Sequence, residues 1–292
     1  MTRINNQVKT IVLLGSLSAL LVGIGALFGS GFMYGAVALA VLLNVGAYFF
    51  SDRLVLRMYG AQEVGPDEAP RLHRIVDDLV QRAAMPKPRV FVIPAAYANA
   101  FATGRNPQHG AVAVTQGIMD LLTERELRGV LAHELAHIKN RDILVSTIAA
   151  VVAAAIGYLA QALSFAAFFG SSSDEEHEGG GGASALLVAL VAPVAATLIQ
   201  LGVSRAREYM ADDTGARICG DPEALAAALD KLESRATLEP SQLEPATASL
   251  FIVNPLAGGE RLMRWFSTHP PMDERIRRLR ALAMDMRMGL AA

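Results

Sequence analysis

The chain has 292 residues, of which 52% are hydrophobic and only 18% are charged. A soluble globular domain usually carries about 25% charged residues, so this composition predicts a membrane protein. The net charge of −2 gives no indication of a nucleic acid partner. Cys219 is the only cysteine, which excludes an intramolecular disulfide and a zinc cluster built from cysteines.

Four apolar stretches are long enough to cross a bilayer, which takes about 20 residues. They lie near residues 10–28, 32–50, 143–169 and 183–203. The first has the basic start of a signal peptide, but another apolar stretch follows at once, which favours an uncleaved anchor. The last two are rich in alanine and could instead be buried helices of a soluble domain, although their length and lack of charge favour spanning.

The placement of charges predicts the orientation of these spans. Of the 26 lysines and arginines, two precede the first span, twelve lie in 51–142 and twelve lie in 203–292. The positive-inside rule then places the N-terminus and both basic segments in the cytoplasm. Residues 170–182 carry acidic side chains and glycines but neither lysine nor arginine, and they are expected to form a solvated loop on the outer side.

The first cytoplasmic segment begins with apolar residues at helical spacing over 66–84. Three short β-type runs follow at 89–93, 99–103 and 111–115, with a turn from Gly104 between the second and the third. Together they predict a small sheet.

The next predicted helix carries the main chemical motif of the chain. Thr123 with Glu126 three residues later forms a capping box at its start, and it should end near Asn140. Within it, residues 133–137 read His-Glu-Leu-Ala-His. Two imidazoles one helical turn apart lie on one face and can hold one metal ion. Glu134, beside the first histidine, is then placed to activate a water on that metal.

A catalytic zinc ion needs a third protein ligand and an open position. One class of peptidases extends the motif with a glycine and a third histidine, but Asn140 and Ile143 stand at those positions and exclude that class. The other source is a downstream carboxylate. Glu208 and Asp212 follow the fourth stretch, four residues apart on one helix face, so Glu208 could bind the metal while Asp212 orients an imidazole.

An alternative for this downstream cluster is a solvated helix on which the carboxylates pair with Arg205 and Arg207. The predicted topology weakens that alternative, because the cluster and the histidine pair lie on the same side of the membrane. The chain then divides into an N-terminal transmembrane hairpin (1–50), a first cytoplasmic peptidase segment (51–142), a second transmembrane hairpin (143–203) and a second peptidase segment (204–292).

Several segments have a combined pattern that is specific to one family. They are residues 99–104, 133–137, 140–142 (Asn-Arg-Asp), 204–212 (Ser-Arg-Ala-Arg-Glu-Tyr-Met-Ala-Asp) and 268–271 (Thr-His-Pro-Pro) with 274–276. Together they resemble the bacterial HtpX-type membrane zinc endopeptidases, which are relatives of the CAAX prenyl endopeptidases. The resemblance covers nearly the whole chain and implies a mainly α, membrane-integrated, zincin-like metallopeptidase with a small β-sheet and about four transmembrane helices.

The resemblance implies one Zn²⁺ per chain, held by His133, His137 and Glu208. Glu134 is then the base that takes a proton from water and returns it to the leaving amine. His269, which precedes two prolines, is a candidate to stabilise the oxyanion and would then be a second catalytic residue. The alternative is that His269 is an ordinary histidine in a surface turn.

Further residues have expected supporting roles. Arg205, Arg207 and Tyr209 are the other oxyanion candidates, and Arg205 and Asp212 are expected next to the ligands. Asp142 either supports a ligand or caps the third span.

The implied substrates are membrane or misfolded proteins, cleaved at the bacterial inner membrane on its cytoplasmic side. The run that begins with Asn99, Ala100 and Phe101 precedes the motif helix in the family, and it is expected to bind substrate as the edge strand of a sheet. Its alternative is an ordinary loop or a buried strand. The sequence leaves the oligomeric state open.

Two other functions are consistent with parts of the pattern. A peptidase that processes prenylated proteins would need a larger membrane chamber than four spans provide. A non-catalytic membrane scaffold with structural zinc would need a fourth protein ligand, for which His269 is the available source, and would leave Glu134 without a role.

Overall fold

The computed structural model describes residues 29–149, 205–238 and 270–289, together with scattered positions between 8 and 26. The helices are α1 (Ser30–Met58), α2 (Pro70–Ala83), α3 (Gln116–Leu121), α4 (Glu124–Asn140), α5 (Arg205–Cys219), α6 (Pro222–Leu238) and α7 (Met272–Arg287). The strands are β1 (Gln62–Glu63), β2 (Arg89–Ile93), β3 (Ala100–Gly104) and β4 (Gly110–Thr115). The expected mainly helical fold with a small sheet is confirmed.

Helix α1 presents its apolar side chains outward. Phe32 is 68% exposed and Leu42 is 69% exposed, although a soluble domain would bury most such residues. Within the described part of the chain, α1 is the one helix long and apolar enough to cross a membrane. Asn44 Nδ2 donates a hydrogen bond of 2.7 Å to Ser18 Oγ, so α1 contacts the first apolar stretch.

The other predicted spans fall largely beyond the described ranges. The stretch at 183–203 and the loop at 170–182 lie outside them, and of the stretch at 143–169 only residues 143–149 are described. These residues form the start of a helix, and Ile143 and Ile148 are buried in it.

Helix α2 lies within the predicted range of 66–84. Pro70 occupies its first turn, where a missing N–H costs nothing. Ala84 adopts a left-handed conformation and ends it. The apolar face predicted from the spacing is buried as expected, and it consists of Leu72, Ile75, Val76, Leu79 and Val80.

The sheet has the strand order β1-β2-β4-β3. Strand β2 runs parallel to β4, with Val90 opposite Val112. Strand β3 runs antiparallel to β4, with Ala102 opposite Val112. The three predicted runs are thus strands, and β3 forms one edge of the sheet among the described residues.

A tight connection joins β3 to β4. Gly104 has φ of +131°, and a Cβ there would lie 2.3 Å from the carbonyl oxygen of His109. Only glycine fits this turn. Asn106 Oδ1 accepts a hydrogen bond of 3.1 Å from the backbone N–H of His109, which fixes the loop between the two strands.

Helix α4 lies at the centre of the described fold, against β3, α2, α5 and α6. The predicted capping box is present. The side chain of Thr123 accepts a hydrogen bond from the backbone N–H of Glu126, and the side chain of Glu126 accepts one from the backbone N–H of Thr123. The helix ends at Asn140, as predicted, because Arg141 adopts a left-handed conformation.

Two glycines let the backbones of neighbouring helices approach α4 closely. A Cβ at Gly129 would lie 2.6 Å from the backbone nitrogen of Leu225 in α6. A Cβ at Gly215 in α5 would lie 2.8 Å from Cα of His133. The position of α5 along α4 is therefore set by the absence of a side chain at Gly215.

We expect Gly215→Ala to destabilise the fold, because the added methyl group meets the backbone of α4, which cannot rotate away. Overpacking of this kind costs about 1–3 kcal/mol. The measurement is the thermal unfolding of the purified full chain in detergent. The control is Gly35→Ala in α1, where nothing lies within 4 Å of the added atom. An equal loss of stability in both variants would contradict the close-packing explanation.

Candidate metal centre

The two histidines of α4 point their outer ring nitrogens at a shared space. His133 Nε2 and His137 Nε2 are 3.1 Å apart. On the other side of each ring stands a carboxylate: His133 Nδ1 lies 3.0 Å from Asp212 Oδ1, and His137 Nδ1 lies 3.1 Å from Asp142 Oδ2. A carboxylate there favours a proton on Nδ1 and leaves the lone pair of Nε2 free to bind a metal.

Glu208 brings a carboxylate from α5 to the same space. Its Oε2 lies 3.8 Å from His133 Nε2, and its Oε1 lies 3.6 Å from His137 Nε2. One ligand atom from each of the three residues lies within 4.8 Å of the others. Bond lengths of about 2.0–2.1 Å in a tetrahedral zinc site imply ligand atoms about 3.3 Å apart, close to these separations.

Arg275 joins α5, the helix that carries Glu208, to α7. Its side chain is 0% exposed, and it donates to Asp212 through Nε at 2.8 Å and through a terminal nitrogen at 2.7 Å. Another terminal nitrogen lies 3.5 Å from Glu208 Oε2. Burial alone would raise the pKa of Asp212, but Arg275 and His133 outweigh it and lower that pKa to about 2. Asp212 therefore links Arg275 to the imidazole of His133.

Sequence reasoning gave Arg275 no role, although its position carried a signal. An arginine that shares a helix face with buried apolar residues must be paired, because an isolated buried charge is very costly. That face of α7 also holds Met272, Ile276, Leu279 and Ala283.

Glu134 is buried beside strand β3. Burial raises the pKa of Glu134, and the neighbouring His133 and His137 only partly oppose that rise. The backbone of Ala102 in that strand also lowers the pKa of this carboxyl group. The glutamate therefore binds a proton more readily than an exposed carboxylate does.

The charges at the site suit a divalent cation. Among the described residues, four acidic side chains and two guanidinium groups, those of Arg207 and Arg275, are buried here, so a cation of charge +2 balances the ionised set. Burial lowers the pKa of His137, but Asp142, Glu208 and Glu134 outweigh it and raise that pKa to about 10.

The other residues predicted from the sequence occupy different surroundings. Arg205 is exposed, whereas Arg207 is buried near Asp142 and Glu208. Tyr209 lies under the guanidinium of Arg278, 3.9 Å from its carbon to the ring centre. His269 lies outside the described residues.

Asp142 both contacts a histidine of the motif and lies at the start of the following helix, so it fits both of the roles considered for it. Its side chain contacts His137, and its backbone carbonyl accepts a hydrogen bond of 3.3 Å from the N–H of Ser146 at the start of the next helix.

The expected substrate strand is buried on both faces. Asn99, Ala100 and Phe101 are all at most 2% exposed. The backbone of Asn99 pairs with Thr115, and the ring of Phe101 packs 5.3 Å from that of Tyr59. These side chains therefore belong to the core, and a substrate peptide could contact this strand only through the backbone of the strand.

Comparison with known proteins agrees with this chemistry. The model of peptidase family M48 matches residues 66–283. Proteins named protease HtpX homolog are similar over nearly their whole length: that of Sulfurihydrogenibium sp. (strain YO3AOP1) is 49% identical over 97% of this chain and 98% of its own. That of Thermodesulfovibrio yellowstonii is 54% identical over 95% and 99%, and that of Pyrococcus furiosus is 50% identical over 96% of each.

A solved structure shares the fold. The crystal structure of S. mikatae Ste24p superposes with a TM-score of 0.51 at 20% identity, covering 95% of this chain and 66% of that chain. Ste24p is the longer protein, and the likeness concerns architecture alone. The match to the family model and the relatives near 50% identity confirm the predicted metalloprotease: the chain belongs to peptidase family M48, among the HtpX proteases.

Proposed function

We propose that the chain is a membrane-bound zinc endopeptidase that cleaves membrane or misfolded proteins. The observation that supports this most directly is the convergence of His133, His137 and Glu208 on one space beside the buried Glu134. Three protein ligands leave a tetrahedral ion one open position, which is the arrangement of catalytic zinc. A structural zinc would be closed by four protein ligands.

In this proposal His133, His137 and Glu208 hold one zinc ion. Bound there, zinc supplies a Lewis acid that makes water acidic near neutral pH and polarises the scissile carbonyl. Asp212 and Asp142 hold the two imidazoles in the tautomer that exposes Nε2. Arg275 holds Asp212 in turn, through two hydrogen bonds.

Glu134 moves the proton. As a base it accepts one proton from the attacking water, and as an acid it delivers that proton to the amine that leaves. Its burial supports both steps, because a raised pKa brings the carboxyl group closer to the pH at which the protein works. The backbone of Ala102 in strand β3 favours the ionised form of this carboxylate.

The edge strand β3 is the proposed backbone docking site for the substrate. A peptide added to this edge would meet main-chain groups, which fits an enzyme acting on many unfolded sequences. Among the charged oxyanion candidates in α5, Arg207 is favoured over Arg205 because it is buried with Asp142 and Glu208. His269 remains a candidate on the segment that leads into α7.

We infer a multi-pass protein of the bacterial inner membrane, with hairpins at 1–50 and 143–203 and about four spans. The catalytic segments 51–142 and 204–292 face the cytoplasm in this arrangement. The distribution of lysine and arginine supports this orientation, and the exposed apolar surface of α1 supports its place in lipid. The protein substrates and the bilayer are thus the two proposed partners.

The alternatives have less support. The buried Glu134, held beside the ligand group, would have no role in a scaffold with structural zinc. The likeness to Ste24p concerns the fold, and a fold alone does not specify the prenylated substrate of the other alternative.

We expect Glu134→Gln to retain zinc and to lose cleavage of an unfolded soluble protein by about 10²- to 10⁴-fold, because the amide cannot carry the proton. Bound zinc per chain and the rate of cleavage are measured on the same purified sample. Wild-type cleavage by the variant would refute the proposed role of Glu134. Loss of both zinc and activity would assign the residue to the metal instead.

Glu208→Ala should weaken zinc binding by more than about 100-fold, since loss of a ligand exceeds the 10- to 100-fold effect of losing its supporting neighbours. Competition with a chelator measures the affinity. The matched control is Asp213→Ala on the same helix, where the carboxylate is 52% exposed and pairs with Arg217. Unchanged zinc affinity in the Glu208 variant would exclude it as a ligand.

Arg275→Met should lower the free energy of unfolding by about 3–5 kcal/mol, because it leaves Asp212 buried without its partner. Chemical unfolding of the metal-free protein in detergent measures this change. Arg277→Met is the control: that side chain is 72% exposed, so its effect should stay within about 0.5 kcal/mol. Arg275→Lys keeps the charge but loses the paired hydrogen bonds, and we expect an intermediate value. Equal effects of the two methionine variants would contradict the role of the buried pair.

A further inference from the structure

A cavity opens where α1 meets the sheet. Its volume is about 340 Å³. We call it the junction cavity. It lies among the end of α1, the start of β2 and the loop between β3 and β4, and none of its residues belongs to the metal group. Its lining consists of Phe49, Asp52, Arg53, Lys87, Arg89, Arg105, Gln108, His109 and Gly110.

The junction cavity carries an excess of positive charge: four lysines and arginines line it, against one aspartate. Lys87 lies 2.7 Å from Asp77, and Arg89 lies 3.1 Å from Asp52, so both of these cations are paired.

The remaining two cations, Arg53 and Arg105, contact aromatic rings instead. Arg53 lies over Phe50 at 5.7 Å and Arg105 over Phe49 at 5.4 Å. Within residues 29–149, 205–238 and 270–289, no carboxylate lies within ion-pairing distance of either guanidinium. Two guanidinium groups in one cavity are therefore available to an anion.

The loop that presents Arg105 is held in place before any ligand binds. The close turn at Gly104 and the hydrogen bonds from His109 to Asn106, at 3.1 Å from the backbone and 2.8 Å from the ring, fix its path. Stacking on Phe49 restricts the guanidinium itself. A fixed guanidinium loses little entropy on binding an oxyanion, and its planar fork matches a phosphate group.

The junction cavity lies at the boundary between the apolar and the polar part of α1, and this position indicates which kind of anion it suits. The apolar part of this helix ends with Tyr48, Phe49 and Phe50, of which Tyr48 is 39% exposed. The polar residues Ser51, Asp52 and Arg53 follow directly. An exposed tyrosine at the end of an apolar helix is typical of the head-group level of a bilayer.

We propose that the junction cavity binds the phosphate of an anionic phospholipid, with Arg53 and Arg105 as its ligands. The acyl chains would lie along the apolar surface of α1, and the head group would reach the sheet through the cavity. This inference rests on the proposed insertion of α1 in the membrane and does not depend on the catalytic mechanism. Such a lipid would tie the peptidase segment to the membrane surface at a fixed height.

The test uses the purified full chain in a neutral detergent and compares fluorescent phosphatidylglycerol with phosphatidylcholine carrying the same acyl chains. We expect phosphatidylglycerol to bind more tightly. Arg53→Gln combined with Arg105→Gln should weaken its binding by about 30-fold, since each charge near an anionic surface contributes roughly fivefold. The matched control replaces Arg74 and Arg287, which are exposed and lie outside the lining, by glutamine. It should leave binding unchanged.

Three outcomes would overturn the proposal: equal binding of both lipids, equal loss in the control variant, or displacement of phosphatidylglycerol by inorganic phosphate at equal concentration. The last would indicate a site for a free anion rather than for a lipid. Cleavage of an unfolded soluble protein in detergent separates this proposal from the catalytic one. The Arg53 and Arg105 variant should retain that activity, whereas Glu134→Gln should lose it and retain lipid binding.

Discussion

The carboxylate of Asp212 is the contact on which the rest of the site depends. It accepts two hydrogen bonds from Arg275 in α7 and contacts His133 in α4, while it belongs itself to α5. Three helices from distant parts of the chain are thus joined at one buried group. A carboxylate in that position is stable only because a guanidinium compensates its charge. The same compensation leaves the imidazole of His133 correctly oriented, so the stability of the fold and the geometry of the ligands come from one interaction.

The packing of α4 against α5 has a similar double effect. Gly215 lets the two backbones touch at His133, and this approach sets how far Glu208 reaches across to the two imidazoles. A larger residue would move a ligand as well as create strain. The distances between Glu208 and the two imidazoles therefore follow from helix packing. The buried carboxylates add a preference for a cation. A site built on packed helices is held more rigidly than one built on loops.

Much of this arrangement was accessible from the sequence, because its signals are local. The capping box at Thr123, the spacing of the two histidines and the β-type runs each depend on residues close together in the chain. The pairing of β3 with the far side of β4 and the burial of Phe101 were not predictable in this way, since they depend on which faces meet in the folded protein. The role of Arg275 was not predicted, although its segment carries the family resemblance, for a related reason. Its partner lies 63 residues earlier, and a single sequence gives no measure of that separation in space.

The helices that build the site are far apart in the sequence, and this separation determines when the site can form during synthesis. His133 and Arg275 are 142 residues apart, and a ribosome adds about 5–20 residues per second. The histidine pair therefore leaves the ribosome several seconds or more before the arginine that completes its surroundings. Until Glu208 has been made, the growing chain has the motif without its candidate third ligand, and until Arg275 has been made, Asp212 lacks its partner. The group of His133, His137 and Glu208 can therefore form only after α5 has been made, and its buried support is complete only after α7 has been made.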